Sequence, residues 1–107
     1  MPEVNFAITP NPDQQGEYLV VVDGTGFYEA ENKPVSIRIR GSDKWYDDSL
    51  FGMPDFEVLV LDGSFNIGKS VHGSALNEDW GEDDVYALVK VGNHPEIKTN
   101  TIKGQFG

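Results

Sequence analysis

Cysteine is absent from this chain, which excludes a disulfide framework and any zinc site built on thiolates. Cations are scarce, with 8 Lys and Arg against 18 Asp and Glu and a net charge of −10. A surface of that sign repels a phosphate backbone, so nucleic acid is not an expected partner. No apolar run approaches the roughly 20 residues of a transmembrane helix, so membrane insertion is not expected either. Met1-Pro2-Glu3-Val4 has neither the basic nor the apolar region of a signal peptide. A convincing helical period is also missing, apart from a turn near Ser74–Asp79. What is abundant is turn material, with 12 glycines and 6 prolines in 107 residues. That length suits a single domain, 1–107, able to bury about two thirds of its unfolded surface.

Between the turns the apolar residues alternate, as they do in strands with one buried face. The most informative stretch runs from Phe56 to Val71. Phe56, Val58 and Val60 precede Asp62-Gly63, and Phe65, Ile67 and Val71 follow it. Asp-Gly suits a type I′ turn, whose two central residues need positive φ, so the stretch is expected to be a hairpin with one face covered by a second sheet. Five more strands are expected. They are residues 3–8, ended by Thr9-Pro10-Asn11-Pro12; 17–23, with the apolar run Tyr18 to Val22 covered on both faces; 35–40; 85–91; and 96–106. Ile97 and Ile102 fall in opposite phase, so the last strand needs a bulge or bend near Thr99–Thr101 or Gly104. Residues 41–55 read as irregular.

Seven short strands with turn signals every 8–12 residues predict an all-β, immunoglobulin-like sandwich of two antiparallel sheets. Tyr86, early on the sixth strand, is placed to bridge the preceding corner as tyrosines do in such folds. Ile37 and Ile39 occupy the third strand where an antibody-type domain has tryptophan.

Ile8-Thr9-Pro10, Gly16, Leu19 to Val22, Gly24-Thr25-Gly26-Phe27 and Val35 follow one another over residues 8–39. This succession of Pro turn, glycine, apolar strand and Gly-x-Gly-Phe resembles the IPT/TIG group of immunoglobulin-like domains. The Asp-Gly-Ser-Phe turn is similar to bacterial extracellular sandwiches and to the neocarzinostatin-type chromophore carriers, whose disulfides this chain cannot form. The resemblance implies an accessory module of a larger extracellular or cell-surface protein, with neighbouring domains, and no site residues.

Catalysis is not expected. His72 and His94 lie in predicted loops with no repeated ligand spacing, His72-Gly73-Ser74 is too local to be a Ser–His pair, and a glycosidase carboxylate pair needs an enclosed cleft. Recognition is expected at one end. Loops 9–16, 41–55 and 72–84 alternate to the same end, carrying Asp13, Asp43, Asp47, Asp48, Asp55, Glu78, Asp79, Glu82, Asp83 and Asp84 together with Trp45, Tyr46, Phe51 and Trp80. Calcium takes six to eight oxygens from such groups, making Asp47, Asp48, Asp79, Asp83 and Asp84 the candidate ligands. Trp45, Tyr46, Phe51 and Trp80 are the candidate platform for a protein or carbohydrate. The alternative for Trp45, Phe51 and Trp80 is to cap the open end of the core. Arg38 and Arg40 form a basic outer stripe that either makes contacts or pairs with acids on a neighbouring strand. The sequence thus predicts a non-catalytic adhesion or spacer module, or a small-ligand- or carbohydrate-binding accessory domain with calcium as a candidate stabiliser. The opposite end, with Phe27, Tyr28 and His94, is expected to be the weaker site.

Overall fold

The computed structural model describes residues 2–42, 47–76 and 83–104, with Asp47, Asp48 and Asp83 placed by their backbone. The strands are β1 (Glu3–Pro10), β2 (Glu17–Thr25), β3 (Val35–Ser42), β4 (Asp47–Met53), β5 (Phe65–His72), β6 (Asp83–Val91), β7 (Ile97–Lys98) and β8 (Ile102–Gly104). Antiparallel pairing builds one sheet of order β1-β2-β5 and a second of order β4-β3-β6-β7, with β8 also along β6. This is the predicted immunoglobulin-like sandwich. Its core is the inward set of each alternation: Val20 and Val22 from β2, Ile37 and Ile39 from β3, Ile67 from β5, and Val85, Ala87 and Val89 from β6. On β2 the outward Leu19 and Val21 are half-buried, so that strand is central in its sheet but not covered on both faces.

The Asp62-Gly63 turn forms as expected, with φ of 55° and 73° and paired hydrogen bonds between Leu61 and Ser64 at 3.0 and 3.1 Å. The hairpin does not continue beyond that rung. Residues 58–60 pair instead with the entry to β3: Val35 N donates to Val58 O at 3.0 Å and Val60 N to Lys33 O at 3.0 Å. Met53 is already paired with Ile37, so β4 and residues 58–60 lie in line along β3, separated by an excursion over residues 54–57. Asp62-Gly63 therefore joins the two sheets at a corner. Alternation correctly buries Val60, but Phe56, expected inside, is 75% exposed in the excursion.

Residues 41–55 are likewise more ordered than expected, since β4 occupies 47–53. Asp47-Asp48-Ser49-Leu50-Phe51-Gly52-Met53 lacks a clean alternation, and it is a strand because β3 offers it an edge. Asp55, expected in the acidic cluster, is paired to β5. It meets Lys69 at 2.8 Å, and Lys69 lies in the inward phase of β5, its ammonium 5.6 Å from the centre of the Phe51 ring. An inward-phase lysine on an edge strand discourages pairing with a further chain.

The last strand breaks at Thr99–Thr101, one of the two places predicted for the bend. Thr99 is buried, and its hydroxyl accepts from Ala87 N at 2.9 Å. Next to it, the Asn100 amide donates to Phe6 O at 3.0 Å and accepts from Phe6 N at 3.1 Å. One side chain thus stands in for a neighbouring strand at the edge of β1 and ties the two sheets together. Tyr86 is 3% exposed, with the Lys98 ammonium 4.3 Å from its ring centre. Among the described residues, no helix is long and apolar enough to cross a membrane.

Candidate functional site

Each end of the sandwich gathers loops, and they differ in what they hold. At the predicted site, Ser42 pairs with both Asp47 and Asp84, and Gly73 N donates to Gly16 O at 3.0 Å. The end of β3 thus lies beside the starts of β4 and β6, and the turn after β1 meets the segment after β5, while residues 43–46 and 77–82 lie outside the described residues. Of the candidate ligands, Asp47 and Asp84 flank Ser42, Asp48 is opposite Gly41, and Asp83 is opposite Gly104. Asp79, Trp45, Tyr46 and Trp80 lie outside the described residues. Among the described residues no three His, Asp or Glu side chains converge as a metal site requires. Phe51 is half-buried against the core and the Lys69 ammonium, so its ring is packing rather than an open platform.

Local order at this end comes from short-range hydrogen bonds. Asn11 accepts from Asp13 N at 3.0 Å and donates to the Ser70 hydroxyl at 3.1 Å. His72 Nδ1 accepts from Ser74 N at 3.1 Å, capping the 3₁₀ turn Gly73–Ala75. That turn delivers Leu76, which is fully buried. Among the described residues, Leu76 closes this end of the core.

The opposite end holds an open cavity of about 560 Å³, lined by Phe27, Tyr28, Ala30, Lys33, His94 and Pro95 among others. That volume lies within the range of small-molecule sites. Phe27, 2% exposed, is its floor, tilted against Phe65 at 5.7 Å between ring centres and edge-on to His94 at 5.6 Å. His94 Nδ1 donates to Pro95 O at 2.9 Å, because a carbonyl can only accept. This leaves Nε2 as the acceptor of the neutral ring. His94 is thus half-buried, with its ring edge-on to Phe27.

Tyr28 forms the wall and is 73% exposed, yet it is held in place. A Cβ on Gly63 would lie 2.7 Å from its ring, so the ring rests directly on the backbone of the Asp62-Gly63 turn. That turn is held in its own right. The Glu31 carboxylate accepts from Asp62 N and Gly63 N, each at 2.9 Å, and Phe27 N donates to Gly63 O at 2.8 Å. A carboxylate taking two backbone N–H groups makes the stronger, charge-assisted kind of hydrogen bond. Glu31→Ala is expected to cost about 1–2 kcal/mol, whereas exposed Glu29→Ala should stay within about 0.5 kcal/mol. Urea unfolding of the two variants checks this.

Beside the turn runs a second groove of about 500 Å³, lined by Gly24, Leu59, Leu61 and Phe65 among others. Leu61 is 63% exposed and Leu59 38%, so apolar surface continues from Tyr28 around the turn. Sequence reasoning ranked this end below the acidic one. Its local signal was Phe27-Tyr28 directly after two glycines; the support from the Asp62-Gly63 turn, more than 30 residues away, and the tie from Glu31 to that turn have no local signal.

No family model matches the chain, and no curated protein matches it. Among solved structures, it is similar to the solution structure of a protein assigned to the late embryogenesis abundant (LEA) group, at 14% identity and a TM-score of 0.51. The match covers 99% of this chain and 72% of that one. At that identity the likeness shows a shared sandwich fold and nothing further.

Proposed function

We propose that this chain is a non-catalytic binding module of the adhesion or accessory type, which seats a carbohydrate or other small polar ligand at the Phe27–Tyr28–His94 end. One observation carries the reading: Tyr28 is a largely exposed aromatic ring fixed at the mouth of a cavity by the turn beneath it. An exposed ring normally costs free energy as bare apolar surface. Resting on the turn, it offers contact area at the cavity mouth, and its face suits the apolar face of a sugar ring. Lys33, Glu29 and Asn93 line the same cavity and supply donors and acceptors of both kinds. Glu29 is the acid in that lining, and glycoside hydrolysis employs two carboxyl groups, so the arrangement favours binding over turnover.

The test is a titration of the labelled protein with neutral and charged mono- and disaccharides, followed by amide chemical shifts. Shifts are expected in residues 26–33 and 92–95. Tyr28→Ala should weaken binding about tenfold, the worth of one stacked ring, with little change in melting temperature. Phe56→Ala, equally exposed but outside the cavity, should bind as the parent does. Shifts confined to Asp83–Val85 and His72–Leu76, or a Tyr28→Ala variant of undiminished affinity, would return the site to the acidic end.

A further inference from the structure

The outer face of the β4-β3-β6-β7/β8 sheet has a charge opposite to that of the molecule. Cross-strand partners share a face, and the register pairs Arg40 with Tyr86, Arg38 with Leu88, Ser36 with Lys90, Leu88 with Lys98, and Asp84 with Lys103. Because Val85, Ala87, Val89 and Val91 point into the core, all these partners point outward. Arg38, Arg40, Lys90, Lys98 and Lys103 are five of the chain's 8 cations. Among the described side chains the acids on this face are Asp84 and Glu96, which leaves the face positive on a chain of net charge −10. Arg38, Lys90, Lys98 and Lys103 are exposed. Arg38 meets Glu96 at 3.2 Å, with both side chains about half exposed; such a pair contributes little to stability and can be re-formed with an incoming acid. At the centre half-buried Leu88 is flanked by these cations, and Tyr86 lies buried beneath Lys98.

From this arrangement we infer that the outer face of the β3-β6-β7 sheet is a docking surface for an acidic, aromatic-bearing segment of a partner protein. Arginine forks match carboxylates, and the exposed Arg and Lys side chains around half-buried Leu88 take an aromatic ring by cation–π contact. The size of the face decides between a segment and a long polyanion. From Ser36 to Ser42 it spans about 20 Å along the strands, room for some six extended residues. A glycosaminoglycan or nucleic acid would extend past it over the acidic remainder and be repelled, since exposed charges act across about 8 Å at physiological salt. This surface is separate from the end cavity, and neither reading depends on the other.

Fluorescence anisotropy with a short labelled peptide of alternating glutamate and tyrosine tests it, with a heparin oligosaccharide and a single-stranded oligonucleotide as comparators. The peptide is expected to bind more tightly than either comparator, and more weakly as salt rises. R38Q/K98Q should weaken it about tenfold, while R38K/K98R, which keeps both charges, should stay within about threefold of the parent. Q14E/Q15E alters the net charge equally on the exposed turn after β1 and should change affinity less than about twofold. Melting curves of all variants confirm that folding is retained. The inference is overturned if the peptide does not bind at low salt, if either polyanion binds more tightly, or if the face and loop variants lose affinity equally.

Discussion

Phe27→Ala is expected to destabilise the protein by about 4 kcal/mol, near the middle of the range for emptying a buried phenylalanine site. A domain of this size shifts by several degrees per kcal/mol, so the melting temperature should fall by about 20 °C. Three features support a loss of this size. It is almost wholly buried, its partners Phe65 and His94 come from different strands and loops, and the gap cannot close easily. The backbone at Phe27 is pinned to Gly63 O, and Gly24 lies so close that a Cβ there would stand 2.8 Å from the Phe27 ring and 2.3 Å from Phe65. A collapse that filled the hole would have to move the turn that supports Tyr28. Phe27→Leu, which keeps most of the volume, should cost less than half as much. A loss below about 1.5 kcal/mol for Phe27→Ala in urea unfolding would show that the floor of the cavity relaxes, and would undercut the rigidity on which Tyr28 depends.

Leu76→Ala comes second, with an expected loss of about 3 kcal/mol. The sequence offers Trp45, Phe51 and Trp80 as candidates for closing the acidic end of the core. Leu76 has no exposed surface, and it follows a turn capped by His72 and closed by Leu76 N donating to Gly73 O at 3.0 Å. Those hydrogen bonds restrain the segment, so the cavity left by the truncation would persist. Phe51→Ala should cost less, about 1–2 kcal/mol, because that ring is only half-buried and the Lys69 stem can settle into part of its space. Equilibrium unfolding of the two variants separates the roles. If Phe51→Ala proved the more damaging, the end of the core would be closed from β4 and not from the turn after β5.

The period-two pattern of Val20-Val22, Val35-Ile37-Ile39 and Val85-Ala87-Val89 was enough to identify strands and their buried sides, because alternation reports directly which side chains leave water. It was blind to partners. Val58 and Val60 carry the same alternation whether they pair with Phe65–Ile67 or with Lys33–Val35, and the excursion at 54–57 delivers them to the latter. β4 shows the converse. With Asp47, Asp48 and Gly52 it has weak strand propensity, and the free edge of β3 makes it a strand, as tertiary context commonly does.

Local chemistry was legible wherever a residue acts within its own few neighbours. Asp62-Gly63 adopts its turn because of its own φ preferences, and the phase slip between Ile97 and Ile102 announces the break at Thr99. The candidate site is a different kind of object. Tyr28 is useful because Gly63 has no Cβ beneath it and because Glu31 reaches across to hold Asp62 and Gly63; these contacts join residues 31 to 35 positions apart. The basic sheet face follows the same logic, since Arg38, Lys90 and Lys98 become neighbours through register alone.

The sequence by itself determined the all-β class, the buried side of most strands and the turn at Asp62-Gly63, all of which follow from short-range sterics and hydrophobic periodicity. Only the tertiary structure decided that this turn joins two sheets, that it carries the exposed Tyr28 above a cavity, and that five of the 8 cations share one face. Pairing and packing bring distant residues together, and no local preference encodes which ones will meet.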